Sequence, residues 1–306
     1  MNLKTNLLNG LKILALTFIM FILFAIAAGV VGMDSATAQA QTQTEQASGA
    51  LSLLFACLLN TLVLSYLIVR SRWSGWKLMA TIFIVFYGVM TVMSQIESAV
   101  FITKLPSGML PKLFVMGLLI AAPFAIFAVL IWGKRKAESF EGQNPRLLMP
   151  AREWAWKLGV LVLAYVVLYF TFGYFIAWQN PAVREYYGGA EAEGFFAHMA
   201  GVFRTQTWLV FFQMLRGLMW IGLALPVIRM MKGAWWEAAL AVALLFAVVM
   251  NAQLLLPNPY MPETVRMTHL LETATSNFVF GGLVAWLLSH KSPHTERMKN
   301  AIQLHA

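Results

Sequence analysis

Long apolar runs alternate with short polar segments along the whole chain. Each run is about 20 residues long, which is the length that an α-helix needs to cross the hydrocarbon core of a bilayer. The pattern therefore predicts an all-α, polytopic membrane protein with eight transmembrane helices. These helices are expected at approximately 12–33, 50–70, 78–101, 113–133, 156–178, 207–229, 236–256 and 267–289.

The composition supports a membrane protein. Of the 306 residues, 60% are hydrophobic and only 11% are charged, whereas soluble domains carry about 25% charged residues. The net charge of +9 is explained by basic residues at cytoplasmic helix ends, so it does not indicate a nucleic-acid partner. The single cysteine, Cys57, excludes an intrachain disulfide.

The first apolar run resembles a signal peptide in part. Lys4 and Lys12 precede it, and Ala38-Gln39-Ala40 after it looks like a signal-peptidase site. However, the apolar stretch 13–33 is longer than the core of about 7–15 residues in a signal peptide. A retained first helix is therefore favoured, with cleavage as the alternative. The polar stretch 34–49 is expected to be an external loop.

The basic residues predict the orientation. If the N-terminus is cytoplasmic, all basic residues outside the spans fall on the cytoplasmic side except Lys104, Lys112, Arg184, Arg204 and Arg266. This bias of about three to one follows the positive-inside rule. Both termini are then cytoplasmic, and the plasma membrane, specifically a bacterial inner membrane, is the expected location. Membrane lipids are the expected partners.

Two parts of the chain resemble each other. The stretch Arg70–Lys77 is similar to Arg229–Trp236, and Val92–Gln95 is similar to Val249–Gln253. An even number of spans per half predicts two parallel four-helix halves. The alternative is that tight hairpins and interfacial Trp residues recur in any multispan protein. The expected units are residues 1–136, a cytoplasmic linker 137–155, residues 156–290 and a basic cytoplasmic tail 291–306.

Ionisable side chains inside the predicted spans are the most specific signal. Away from the inner ends of the spans they are Glu97, Arg216, His269 and Glu272, and all four fall in the predicted outer half of the membrane. Charged groups inside a span are rare and usually mark a functional site or a paired contact. The uncharged polar residues at this depth are Gln95, Gln213, Asn251 and Gln253. The candidate ligand or proton site is completed by Gln213, Asn251, Gln95 and Thr273.

Helical spacing groups these residues into faces. His269, Glu272 and Thr273 are separated by three and four positions, so they lie on one face of the last helix. Gln213 and Arg216 are three apart on the sixth span. An isolated arginine at this depth is expected to face a carboxylate, either Glu97 or Glu272. With a neutral histidine, one carboxylate of the cluster is expected to take up a proton.

Three functions are compatible with this cluster. The first is an outward-facing intramembrane pocket that binds or transports a small anionic solute or a lipid headgroup, with no cofactor. The second is an outer-leaflet metal-dependent hydrolase, with Zn or Fe held by His269, Glu272, Glu97 and His198. The third is a structural subunit of a membrane complex, in which the polar contacts only hold helices together. The sequence contains no catalytic motif that would decide between them.

Overall fold

The computed structural model describes residues 3–32, 43–102, 105–136, 146–189 and 193–290. Within these ranges the regular structure is helical, with no strand. The helices are α1 (Leu3–Val31), α2 (Gln43–Val69), α3 (Gly75–Phe101), α4 (Met109–Ile131), α5 (Ala151–Ala177), α6 (Pro181–Tyr186), α7 (Phe195–Thr205), α8 (Thr207–Met230), α9 (Trp235–Leu255) and α10 (Glu263–Ser289).

The prediction of an all-α polytopic membrane protein is confirmed. Eight helices in the described ranges are long and apolar enough to cross a membrane: α1 to α5 and α8 to α10. The two other helices, α6 and α7, are short and lie between α5 and α8. The first apolar run is one continuous helix, in agreement with its prediction as a span.

Several predicted boundaries were wrong by a few residues. The stretch 34–49 was expected to be a loop, but α2 begins at Gln43, because glutamine, glutamate and alanine favour helix and extend it beyond the apolar segment. Similarly, α5 begins at Ala151, inside the expected linker, and α10 begins at Glu263. The tail 291–306, residues 137–145 of the linker, and the possible cleavage site at 38–40 lie outside the described residues.

The bundle has an apolar interior and an apolar exterior. Large side chains such as Phe86, Phe124 and Trp220 are fully buried between helices. The outer surface also carries large apolar residues, for example Ile22 and Ile26 on α1, which are more than half exposed. In water such a surface would be unfavourable, whereas in a bilayer it faces hydrocarbon chains. The surface thus agrees with a membrane location.

The main packing contacts among the helices α1 to α4 have counterparts among the helices α5, α8, α9 and α10. Helix α1 packs on α2 and α4, and α5 packs in the same way on α8 and α10. Likewise, α3 packs on α4 as α9 packs on α10. Ser71 and Met231, which occupy similar positions in the two resembling loops, form an antiparallel bridge. Two related halves would produce this pattern, but the duplication itself remains a prediction.

Three of the spanning helices contain a π-helical turn. These turns are Gly88–Met93 in α3, Gly173–Ala177 in α5 and Leu245–Val249 in α9. A π-helical turn shifts the register of the side chains that follow, and such turns occur frequently at functional sites. All three lie toward the end of the bundle where α3 ends and α10 begins. This end is called the site end below, and the opposite end is the termini end.

Ion pairs hold the termini end together. Arg70, at the end of α2, pairs with Glu237 in the first turn of α9. The buried Lys157 on α5 pairs with Glu153 at 2.7 Å and also donates to the backbone carbonyl of His290. The second contact binds the end of α10 to the start of α5.

Helices α9 and α10 approach each other closely at Gly281. A Cβ atom at this position would lie 2.8 Å from Cα of Ala243 and 2.9 Å from its backbone nitrogen. Because the backbone of α9 cannot move aside locally, Gly281→Ala is expected to destabilise the protein by about 1–3 kcal/mol. The neighbouring Gly282 has no atom within 4 Å of such a Cβ, so Gly282→Ala is the matched control and is expected to be neutral or slightly stabilising. Thermal unfolding in detergent measures both, and equal effects would contradict the close approach.

Candidate functional site

An arginine and a glutamate join two helices at the site end. Arg216 on α8 is 2% exposed, and its Nη2 lies 2.5 Å from Oε1 of Glu97, which the last turns of α3 carry. Nη1 of Arg216 donates to Oε1 of Gln213 at 2.9 Å, one helical turn earlier on the same face of α8. The structure therefore pairs the buried guanidinium with Glu97, one of the two carboxylates that the sequence offered.

A second group of polar residues lies on α10. Nδ1 of His269 lies 2.8 Å from Oε2 of Glu272, as their spacing of three residues predicts. Nε2 of the same imidazole lies 3.0 Å from the hydroxyl oxygen of Tyr187, in the segment after α6. One residue beyond Glu272, Thr273 donates from its hydroxyl to Oδ1 of Asn251 on α9 at 2.5 Å. The α10 group thus contacts both the α6 segment and α9.

The two groups share one small cavity. Its lining includes Arg216, both carboxylates, and two tyrosines of α5, Tyr165 and Tyr169. Three further polar residues of α10 line it: Thr273, Ser276 and Asn277. The cavity volume is about 10 Å³, which is room for about one water molecule. The site is therefore an almost closed polar cluster, formed where α3, α5, α8 and α10 meet.

A glycine of α5 lies next to Glu272. Gly173 begins the π-helical turn of α5, and a Cβ atom there would be in van der Waals contact with Oε1 of Glu272, at 3.5 Å. The α5 backbone therefore lies close to the carboxylate. Any larger side chain would extend beyond this Cβ toward the site.

Tyr187 belongs to the cluster although sequence analysis did not identify it. Burial is the largest cause that raises the pKa of its phenol well above the usual range, and the negative charges of Glu97 and Glu272 add to it. The phenol is therefore protonated at neutral pH and is able to donate a hydrogen bond to His269. No spacing in the sequence relates a residue after α6 to α10. In contrast, the separation of four residues between Tyr165 and Tyr169 was a visible signal of a polar face on α5.

Two of the sequence candidates lie outside the cluster. Gln95 is buried on α3, and its Oε1 has no donor among the described residues. It makes no hydrogen bond to the cluster within the described chain, and the contact between α3 and α9 is instead made by Gln253, which donates to the hydroxyl of Ser94. Gln95 and Glu97 are two residues apart in the α-helical stretch after the π-helical turn, so their side chains lie on nearly opposite faces of α3.

His198 also lies apart from the expected metal ligands. On α7, its ring packs against Trp178 at 5.0 Å and Tyr174 at 5.4 Å between ring centroids. Burial lowers the pKa of His198, so its imidazole is neutral at neutral pH. The described residues contain no group of three His, Cys, Asp or Glu side chains arranged to hold a metal ion. The four residues considered for zinc or iron are thus not brought together as a ligand set, and we do not identify them as metal ligands.

The charges of the cluster do not cancel when His269 is neutral. Arg216 offsets Glu97, to which it is paired, and the negative charge of Glu272 remains. Two donors have no acceptor among the described residues: Nε of Arg216 and Nε2 of Gln213. A buried polar group without a partner is unfavourable by about 1–3 kcal/mol. The cluster therefore combines one excess carboxylate with two unpaired donors, one on the arginine cation and one on the glutamine amide.

Comparison of the chain with protein-family models, with curated proteins and with solved structures found no match.

Proposed function

We propose that the polar cluster at the site end is a proton-linked site for a small anionic solute or an anionic lipid headgroup, which the protein binds or transports. The observation that carries this proposal is the state of Arg216. Its guanidinium is buried, lines the cavity and has a donor, Nε, with no acceptor among the described residues. Arginine is the side chain best suited to bind carboxylate or phosphate oxygens in such a position.

The charge of the cluster links the anion to a proton. Without ligand, and with neutral His269, the cluster holds one excess negative charge, on Glu272. Adding an anion would raise the buried charge to two, which is strongly unfavourable away from water. If Glu272 takes up one proton at the same time, the net charge of the occupied cluster equals that of the empty one. A monovalent anion is therefore expected to bind together with a proton.

The small cavity implies that binding requires a conformational change. Its volume of about 10 Å³ does not admit an anion larger than a water molecule. The π-helical turn of α5 begins at Gly173 beside Glu272, and that of α3 ends at Met93, one helical turn before Glu97. Such turns occur frequently at functional sites. We propose that the structure represents an occluded state, which opens toward the site end.

The orientation and the membrane remain part of the proposal. Basic residues concentrate at the termini end, which on the positive-inside rule faces the cytoplasm. The site end then faces outward, and a bacterial inner membrane is the expected location. A cysteine placed in the α9–α10 turn, for example Asn258→Cys in a Cys57→Ser background, is expected to react with a membrane-impermeant maleimide in intact cells. Labelling only after cell lysis would reverse the orientation.

The test of the function is anion binding by the purified protein in detergent. Acetate, inorganic phosphate and a short-chain phosphatidylglycerol are the probes, and thermal unfolding is the readout. At least one probe is expected to raise the unfolding temperature, with an affinity that falls as the pH is raised over the range in which the protein is folded, because a proton is bound together with the anion. A response to acetate or phosphate indicates a solute, and a response to phosphatidylglycerol alone indicates a lipid headgroup. No response to any probe across this range contradicts the proposal.

A further inference from the structure

A hydrogen-bonded row of three side chains connects the segment after α6 with the cavity. The hydroxyl of Tyr187 lies 3.0 Å from Nε2 of His269, and Nδ1 of His269 lies 2.8 Å from Oε2 of Glu272. Glu272 in turn lines the cavity beside Arg216. Exposure decreases along the row, since the side chain of His269 is 17% exposed and that of Glu272 is 8% exposed.

The partners of the imidazole determine its protonation pattern. An ionised carboxylate accepts hydrogen bonds and cannot donate, so Nδ1 must carry the proton that faces Glu272. In the neutral ring Nε2 is then an acceptor, and it receives the hydroxyl proton of Tyr187. Tyr187 thus donates to His269, and His269 donates to Glu272, so both hydrogen bonds run in the same direction.

We propose that Tyr187, His269 and Glu272 form a proton path between water at the site end and the buried cavity. A hydronium ion gives a proton to the phenol oxygen of Tyr187, while the hydroxyl proton of Tyr187 passes to Nε2 of His269. The Nδ1–H bond of His269 then breaks, and its proton passes to Oε2 of Glu272. One proton has moved from water to Glu272, and water, phenol and imidazole are again neutral. Reversal of these steps returns the proton.

The surrounding charges favour Glu272 as the end of this path. The titratable groups that face it are Glu97 from α3, Arg216 from α8, and Tyr165 and Tyr169 from α5, while α9 presents the uncharged Asn251. Glu97 is already paired with Arg216. Protonation of Glu272 therefore removes the one negative charge in the cluster that no cation offsets, provided that His269 is neutral. The inference rests on the proposed function in this respect, because it takes Glu272 as the proton site.

The experiment follows proton uptake by Glu272 in the absence of any anion. Purified protein in detergent is given a light-triggered pH drop, and time-resolved infrared spectroscopy records the C=O stretch of the protonated carboxyl group. The band that disappears in Glu272→Gln belongs to Glu272. In Tyr187→Phe the band is expected to reach its usual final amplitude, but at least about tenfold more slowly, because a positioned acid–base group is lost.

Tyr186→Phe is the matched control. The hydroxyl of Tyr186 donates to the backbone carbonyl of Tyr260 and not to His269, so this variant is expected to keep the wild-type rate. His269→Gln is a second test, since it breaks the row at its centre and is expected to be at least as slow as Tyr187→Phe. Thermal unfolding shows that each variant is folded before its rate is compared.

Three results would overturn the proton path. They are the absence of a Glu272 band in the wild type, an unchanged rate in Tyr187→Phe, and an equal slowing in Tyr186→Phe. Because no anion is present, this outcome is independent of the proposed function. A slow Tyr187→Phe variant in a protein that binds none of the anion probes would support the path and contradict anion binding.

Discussion

Replacing Glu97 by alanine is expected to lower the free energy of unfolding by about 3–5 kcal/mol, because it leaves a buried guanidinium without its counter-ion. Arg216 is 2% exposed, so water cannot take over the role of the lost carboxylate. Interhelical hydrogen bonds in membranes contribute about 1–2 kcal/mol at most. The expected loss is larger because a charge, not a neutral group, becomes unpaired. Unfolding of the purified protein in mixed micelles by a denaturing detergent measures it.

The double variant Glu97→Ala/Arg216→Met is the control for this prediction. It removes both charges and replaces the arginine by a flexible apolar side chain of similar length. Most of the stability lost in Glu97→Ala is expected to return, since the buried guanidinium that lost its partner is also removed. The Glu97 side chain is itself 26% exposed. If Glu97→Ala alone changes stability by less than about 0.5 kcal/mol, which is usual for exposed sites, the pairing of Glu97 with the buried Arg216 is contradicted.

Arg216→Lys is expected to weaken the binding of the anion probe at least about tenfold, or by about 1.4 kcal/mol or more. Lysine keeps the positive charge, but it has a single ammonium group where the arginine has a planar set of donors. In the wild type, Nη2 contacts Glu97, Nη1 donates to Gln213, and Nε has no acceptor among the described residues. One ammonium group does not reach all three directions. Titration of the probe against thermal unfolding gives the affinities.

Arg204→Lys is the control for Arg216→Lys. Arg204 is exposed and lies at the same end of the bundle. It lies on α7, outside the cluster. Arg204→Lys is expected to leave the affinity for the probe unchanged within about twofold, the usual size of effects at exposed positions. Equal losses in the two variants would indicate a general effect of surface charge, and not binding at Arg216.

The sequence predicted the framework of the site well, for physical reasons. Apolar length identified the spans, because a bilayer admits only helices with satisfied backbones. Within helices, the spacing predicted that His269 and Glu272 share one face and that Gln213 and Arg216 share another, and in the structure each pair is hydrogen-bonded. Because a buried arginine without a counter-ion is unfavourable, a carboxylate partner on another helix was also predicted for Arg216. The structure confirms it. These predictions depend only on helix geometry and on the properties of charges away from water.

The remaining features depend on tertiary structure. Whether Arg216 faces Glu97 or Glu272 is determined by how α3, α8 and α10 pack together, which no local pattern reports. Gln95 lies two residues before Glu97 in a regular α-helical stretch, so the helix face that brings Glu97 to the cluster points Gln95 away from it. Tyr187 joined the cluster because the segment after α6 packs against α10, far along the chain. The functional role of the cluster remains a proposal.

The most direct test of the account is the number of protons that the protein takes up with each anion. Calorimetric titration of the anion probe in two buffers of different ionisation enthalpy measures this number. The account predicts about one proton per monovalent anion at a pH where Glu272 is ionised in the empty protein, and none in Glu272→Gln. Anion binding by the wild type without proton uptake at any pH at which the protein is folded would contradict it.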